Sequence, residues 1–209
     1  LSTHDELGWL VSNHLIREAA WQAVQDAIER HGDIELVTGD AVDQVRLRPD
    51  AAQATLRSGR CLDARLMVAA DSRFSNTRRA VGIAADLHDF GRTMLVCAMT
   101  HDAPHEHAAW EWFDYGQTLA LLPMNDDPRS GRHRASIVLT LPSHEIEPIT
   151  AMESDAFNAE IERRFAHRLG RMALASTRHT YPLVAVYPRR MVATRFACVG
   201  DAAVGMHPV

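Results

Sequence analysis

The sequence predicts a mixed α/β (α+β) chain in two interleaved parts, on three observations. An apolar strand ends at Asp71 and another ends at Gly200-Asp201, each followed at once by a helix start, as in a parallel sheet covered by helices. Between them, from about residue 82 to residue 187, long strands dominate, as in an antiparallel sheet. An amphipathic helix of about four turns precedes both. The first part is thus left and re-entered around a sheet-rich insert, giving segments 1–81, 82–187 and 188–209.

Ser12 is a suitable N-cap for a helix through Leu15, Ile16, Ala19, Ala20, Ala23, Val24, Ala27 and Ile28, whose apolar positions recur at three- and four-residue steps, with His31-Gly32 as the stop. This helix is expected to be buried. From residue 33 the period changes to two. Short strands are expected at 34–37, 41–47 and 54–57, with Ser58-Gly59 opening a tight connection. Residues 65–70 read as a strand buried on both faces, which suits a parallel sheet. Ser75 can cap a short helix through Arg79 and Val81.

In the insert, strands are expected at 93–100, 109–115, 118–124 and 135–141, the second carrying Trp110, Trp112, Phe113 and Tyr115. A helix over 154–169 places Phe157, Ile161, Phe165 and Leu169 on one face. Extended structure resumes over 178–187, where Pro182 and Pro188 restrict it to an edge or an end. The last strand, 195–199, runs into Gly200-Asp201.

Composition narrows the function. The 209 residues carry 22 basic and 27 acidic side chains, a net charge of −5, which is no electrostatic footprint for nucleic acid or an anionic membrane. Every basic residue is arginine; with no lysine, Walker-type phosphate loops and Schiff-base chemistry are excluded. Cys61, Cys97 and Cys198 are odd in number and sit in apolar surroundings, as small buried hydrophobes of a reducing cytoplasm would. No stretch approaches the ~18 apolar residues of a spanning helix and the given residues open with no charged-then-apolar leader, so neither a spanning helix nor a signal peptide is expected within them. The start at Leu1 and the end at Val209 read as those of a piece of a longer protein.

Two motifs carry chemistry. In Gly200-Asp201-Ala202-Ala203 the glycine permits a sharp turn and close backbone approach, the aspartate offers acceptors to hydroxyls such as those of a ribose or ribitol chain, and the alanines allow tight contact. Taken alone, the same four residues also describe an aspartate cap after a tight turn. Residues 68–79 again set an aspartate, Asp71, at the C-terminal end of an apolar strand, followed by the Ser75 cap and the Arg78-Arg79 pair. A plain strand, cap and solvated arginine pair would give that pattern too.

Together the motifs make the chain resemble the flavin-dependent aromatic hydroxylases related to para-hydroxybenzoate hydroxylase, and within them the ubiquinone-biosynthesis hydroxylases. The resemblance is carried by Gly8-Trp9-Leu10-Val11-Ser12-Asn13, by Ala70-Asp71-Ser72-Arg73-Phe74-Ser75 with Arg78, by Leu119-Ala120-Leu121-Leu122-Pro123-Met124, by Tyr181-Pro182-Leu183, and by Val199-Gly200-Asp201-Ala202-Ala203 with His207-Pro208. It implies a fragment of an FAD-binding Rossmann-like domain interleaved with an antiparallel substrate domain. Segment 1–81 and the return at 188–209 would bind FAD, and 82–187 the substrate. Asp201, with Gly200 and Ala202, would bind the ribitol of FAD, and His207 and Pro208 would border the flavin. Asp71, Ser75 and Arg78 would serve the pyrophosphate side and reduced nicotinamide, and Asn13 would make a polar flavin contact.

Three departures stand out. Ser72 replaces the family's glycine after the first aspartate, and Val204 stands where a histidine commonly follows. The opening Gly-x-Gly-x-x-Gly fingerprint is absent, since no two glycines here are one residue apart. That turn supplies amide donors for the pyrophosphate, so it is expected upstream of Leu1, and the segment alone is expected to bind FAD weakly.

The implied activity is NAD(P)H- and O2-dependent hydroxylation of an aromatic ring, through a flavin hydroperoxide, on a prenylated phenol. No catalytic acid, base or nucleophile is assigned. An apolar cavity is expected around Trp112, Leu121 and Pro123, with Leu119, and with Tyr181 and Pro182 among the substrate contacts. Two alternatives stay open: a flavin hydroxylase of another phenolic compound, and a non-enzymatic ligand-binding module. The location expected is cytoplasmic, or peripheral to the membrane or to a biosynthetic complex. His101, His105 and His107 are read as a solvated loop, with no metal site.

Overall fold

The computed structural model describes residues 8–114 and 116–206. In chain order its elements begin with α1 (Asn13–His31), β1 (Val42–Leu47), β2 (Ala52–Leu56), β3 (Cys61–Ala64), β4 (Met67–Ala69), α2 (Asn76–Ala80), β5 (Ala85–His101), β6 (Trp110–Asp114) and β7 (Gln117–Met124). They continue with β8 (His133–Pro142), α3 (Ser143–Thr150), α4 (Ser154–Arg164), β9 (Met172–Leu174), β10 (His179–Pro188), β11 (Val192–Ala193), β12 (Phe196–Cys198) and a single 3-10 turn, Gly200–Ala202. The described residues form two compact units, one of 8–34 and 91–182 without 115, the other of 35–90 and 183–206.

In the first unit, α1 begins as expected: the Ser12 side chain accepts the Leu15 amide, and Gly32, at φ 71°, closes the helix with its amide on the Ile28 carbonyl. Burial of the helix is not observed. None of its residues is buried, and Leu15, Ile16 and Trp21 are each about half exposed. A 3.6-residue period reports an apolar stripe; what covers the stripe is set by tertiary structure, and nothing among the described residues buries it.

The sheet of this unit runs β10-β5-β8-β7-β6, with β9 also paired to β5. Leu95, Cys97 and Met99 of β5, Ile137 and Leu139 of β8, and Leu119 and Leu121 of β7 alternate onto one face. Ile146 and Ile149 of α3 and Phe157 and Ile161 of α4 pack on that face. Each such large apolar side chain, taken from water, contributes about 1.5–3 kcal/mol. Helix α3 and strand β9 have no counterpart in the sequence expectation. Helix α4 stops at Arg164, not 169, because Ala166 and His167 take left-handed backbone at φ 50° and 56°; Phe165 and Leu169 still reach the core. Pro182 lies within β10, an edge strand, as the missing proline amide requires.

The second unit has an antiparallel meander, β1-β2-β3, and a small sheet ordered β11-β12-β4 in which β4 and β12 are parallel. The expected strand at 34–37 does not form; these residues lie outside any ladder, and Glu35 pairs instead with Arg60 at 2.6 Å. Burial of β4 on both faces is corrected as well. Ala69 is buried while Val68 is half exposed, because only one side meets the cluster of Ile83, Phe196, Cys198 and Ala202. Cys97 and Cys198 are buried as expected, and burial pushes the Cys97 thiol up to about 12, so it stays protonated; Cys61 is exposed, at the start of β3. Among the described residues no helix is long and apolar enough to cross a membrane.

Candidate cofactor turn and substrate face

In the second unit, parallel register sets Ala69 beside Cys198, and the Val199 amide donates to the Ala69 carbonyl at 2.9 Å. Asp71 and Asp201 therefore leave the same end of two neighbouring strands, the carboxyl end, where ligands of open α/β sheets collect. Gly200 takes φ 57°, a left-handed conformation costly for other residues, and so starts the 3-10 turn. The turn leaves the Asp201 side chain 59% exposed while Ala202 is buried beneath it.

Asp71 points the other way. Its Oδ2 accepts the Thr77 amide at 3.3 Å and the Thr77 hydroxyl at 3.2 Å, fastening the start of α2. Burial works to raise its pKa, but hydrogen bonds from Ser75 and Thr77 outweigh that and hold the carboxyl below the usual range. Ser75 caps α2 as expected, accepting the Arg78 amide at 2.9 Å. Arg78 is 2% exposed, and its Nη1 donates to the Arg73 carbonyl at 3.1 Å and the Ala202 carbonyl at 3.0 Å, tying one motif to the other. Its Nε is buried without a partner.

Sequence reasoning missed Arg73. Its Nη1 donates to the Val184 carbonyl at 3.1 Å, and its Nη2 lies 3.6 Å from Asp201 Oδ2. Gly205, which exchanges backbone hydrogen bonds with Val186, is held so close that a Cβ there would stand 2.6 Å from Arg73 Cβ. Nothing in local pattern separated Arg73 from the neighbouring arginines. His207 and Pro208 lie outside the described residues, as does Tyr115. Asn13, the first residue of α1, is exposed and belongs to the other unit.

In that unit the expected cavity around Trp112 and Leu121 is a filled core. Leu121 is fully buried opposite Trp110, and Leu119 is opposite Trp112. Trp112 meets Phe165 edge-on at 5.6 Å and Trp110 at 5.7 Å, with the Arg168 guanidinium 5.1 Å from its ring. Pro123 shares this face, half-buried against Ala135. Alternation then puts Val96, Ala98, Ala120, Leu122 and Val138 on the opposite face, all half-buried and none in the core cluster. Tyr181 and Pro182, on β10, are exposed. Sequence alternation reveals two apolar faces, and helices α3 and α4 decide which one is closed.

The histidine loop is only partly solvated: His107 is exposed, as expected, with Asp102, Pro104 and Glu106. His101 and His105 are buried: His101 Nδ1 bonds the Ala103 carbonyl at 2.8 Å, and His105 Nε2 bonds that of Met124 at 3.1 Å. Among the described residues no three metal-ligating groups converge. A polar cleft of about 500 Å³ lies between β9, α4 and the loop after β5. Its groups are engaged internally, Arg132 with Asp102 at 2.9 Å and Glu162 with the Met172 amide at 2.8 Å.

A parallel strand pair ending in two acidic turns in one unit and a large antiparallel sheet in the other define a mixed α/β protein. The chain belongs to the family described as FAD binding domain, which matches residues 13–209. It is 42% identical over 98% of its length to the ubiquinone hydroxylase UbiM of Neisseria meningitidis, and 34% identical over 97% to the ubiquinone hydroxylase UbiL of Rhodospirillum rubrum. It spans 42% and 45% of those two proteins. In fold it is similar to CmlS, a flavin-dependent halogenase, with a TM-score of 0.69 at 18% identity, covering 92% of this chain and 36% of that one.

Proposed function

We propose that this chain supplies the Asp201 cofactor turn and the substrate sheet of an FAD-dependent monooxygenase, which hydroxylates the ring of a prenylated phenol in ubiquinone biosynthesis with NAD(P)H as reductant and O2 as oxidant. The observation that carries the reading is the exposed Asp201 carboxylate on a left-handed glycine turn, at the carboxyl end of a parallel strand pair, in a chain of the FAD binding domain family. The names of the two ubiquinone hydroxylases support the substrate class.

FAD fits the residues present. Asp201 offers acceptors to ribitol hydroxyls, Gly200 opens the backbone to close approach, and the buried Nε of Arg78 is a donor that no group among the described residues satisfies. Ser75 and Arg78 keep the two motif loops in register, and Asp71 secures α2. When bound and reduced, the flavin supplies the activation of O2, and the protein supplies binding, orientation and exclusion of water. In the first unit, the open face of Val96, Ala98, Ala120, Leu122 and Val138, with Tyr181 and Pro182 on β10, suits a neutral greasy ring and tail. On this reading the segment roles are cofactor for 1–81 and 188–209 and substrate for 82–187, although residues 8–34 group with the sheet-rich unit and 82–90 and 183–187 with the other. Such a substrate would be collected at a membrane surface or within a biosynthetic complex, giving the enzyme a peripheral association.

The test is the purified full-length protein. It is expected to be yellow, and to oxidise NADH or NADPH faster with a prenylated phenol than with a soluble aromatic acid, with one oxygen atom gained by the product. A colourless protein that cannot be reconstituted with FAD would refute the enzyme reading, and preference for the acid would refute the substrate.

A further inference from the structure

Arg73 sits in the loop between β4 and α2, fixed at both ends of its side chain. Its Cβ packs against Gly205, where no side chain fits, and its Nη1 donates to the Val184 carbonyl at 3.1 Å. Its own carbonyl is held by the buried Arg78. The guanidinium is thereby set 3.6 Å from Asp201 Oδ2, with the Arg73 side chain 29% exposed and that of Asp201 59% exposed. An arginine anchored this way has already given up its rotamer freedom, so less is lost on holding a partner than for a free surface pair.

The pair matters because of the charge of the cofactor. FAD carries a diphosphate, and an uncompensated carboxylate near it repels by about 1 kcal/mol per charge at 4 Å in water and several times more in a less polar site. The chain has no lysine to offset this charge. Of the three arginines in the motif, Arg78 is spent on two buried carbonyls and Arg79 bonds Asn76 Oδ1. Arg73 is the one paired with Asp201.

We infer that Arg73 is a positioning residue for FAD: it aims the Asp201 carboxylate at the ribitol hydroxyls and offsets its charge toward the diphosphate. The inference rests on the reading of Asp201 as the polyol acceptor, and one set of measurements tests the two separately. FAD dissociation constants are measured by flavin fluorescence on full-length wild type, Arg73→Ala, Arg73→Lys, Asp201→Ala and the double variant, with riboflavin as a probe lacking the diphosphate. Arg73→Ala is expected to weaken FAD binding about fivefold, the upper scale of a partly exposed ion pair. Arg73→Lys should recover part of that loss, riboflavin should lose less than FAD, and in the Asp201→Ala background the Arg73 change should add less than about twofold.

Unchanged FAD affinity in Arg73→Ala overturns the inference. So does an equal loss with and without Asp201, which is what a loop scaffold alone would give. If Arg73→Ala does not fold, Arg73→Lys and Arg73→Gln carry the comparison: lysine binding FAD no better than glutamine overturns the charge role. Unchanged affinity in Asp201→Ala, by contrast, removes the reading of Asp201 itself.

Discussion

In the sheet-rich unit, sixteen buried residues from four strands, two helices and the following loop form one cluster, whereas the cluster beneath the Asp201 turn has five. Around the turn of the second unit, arginines on backbone carbonyls add to that smaller cluster. Arg78 holds Arg73 and Ala202, Arg73 holds Val184, and Arg195 holds Pro49 at 2.7 Å and Arg65 at 3.0 Å. A hydrophobic core closes its own surface, while loops clamped by hydrogen bonds keep carboxylates and backbone open to a ligand. The difference teaches that the Asp201 turn rests on a small apolar cluster supplemented by arginine–carbonyl hydrogen bonds.

Breaking the larger core should have the largest effect. Phe157→Ala is expected to cost about 3–5 kcal/mol, through lost burial and a cavity between α4 and the sheet, seen as a lowered midpoint in denaturant. Arg78→Met should come next, at about 1–3 kcal/mol, because the Ala202 and Arg73 carbonyls lose their donor; hydrogen exchange should rise at the Gly200–Ala202 turn and leave β8 protected. Gly205→Ala should cost about 1–2 kcal/mol, since its Cβ would drive Arg73 out of place, and circular-dichroism melting would register it.

A smaller effect sharpens the comparison through pH. Burial holds the His101 pKa below its ordinary 6.5, the Ala103 carbonyl acting in the opposite sense and His105, His133 and Arg132 adding to the depression. As pH falls through 6.5 the unfolded chain takes up this proton first, so stability declines from there down to the lower folded pKa and then levels off. Carboxylates such as Asp102 and Asp127, held below 3.8 by their hydrogen bonds, lose their contribution only at more acid pH. His101→Gln should flatten the melting temperature against pH just below 6.5, and an unchanged slope would contradict the assignment. Smallest of all, Arg189→Ala, at an ion pair with Asp86 whose side chains are both more than two-thirds exposed, should leave the melting temperature unchanged.

The parallel pair and the antiparallel sheet were legible because period, capping and glycine positions are local properties. Ser12, Ser75 and Gly32 cap where their chemistry says they should. Short strands such as β9 and β11, with three and two residues, carry too little pattern to be seen. Exposure of α1, the inward turn of Trp112 and Leu121, and the burial of His101 depend on which neighbour covers a face, and sequence period is blind to that. Around the Asp201 turn, Ser75, Arg78 and the Gly200–Ala202 segment were legible and come together, Ser75 capping at Arg78 and Arg78 holding Ala202, while Asp71 fastens α2 through Thr77. Arg73 was not, because its role comes from Val184 and Gly205, more than 110 residues further along the chain.

The central claim, that the Gly200–Ala202 turn holds FAD through Asp201, is tested most directly by the flavin content of the full-length Asp201→Ala protein. The side chain is exposed and outside the apolar cluster, so the variant should fold with an unchanged melting temperature in the absence of flavin. The account predicts FAD affinity lowered by about tenfold or more, with a correspondingly reduced ratio of flavin to protein. A wild-type ratio and affinity in that variant would contradict it.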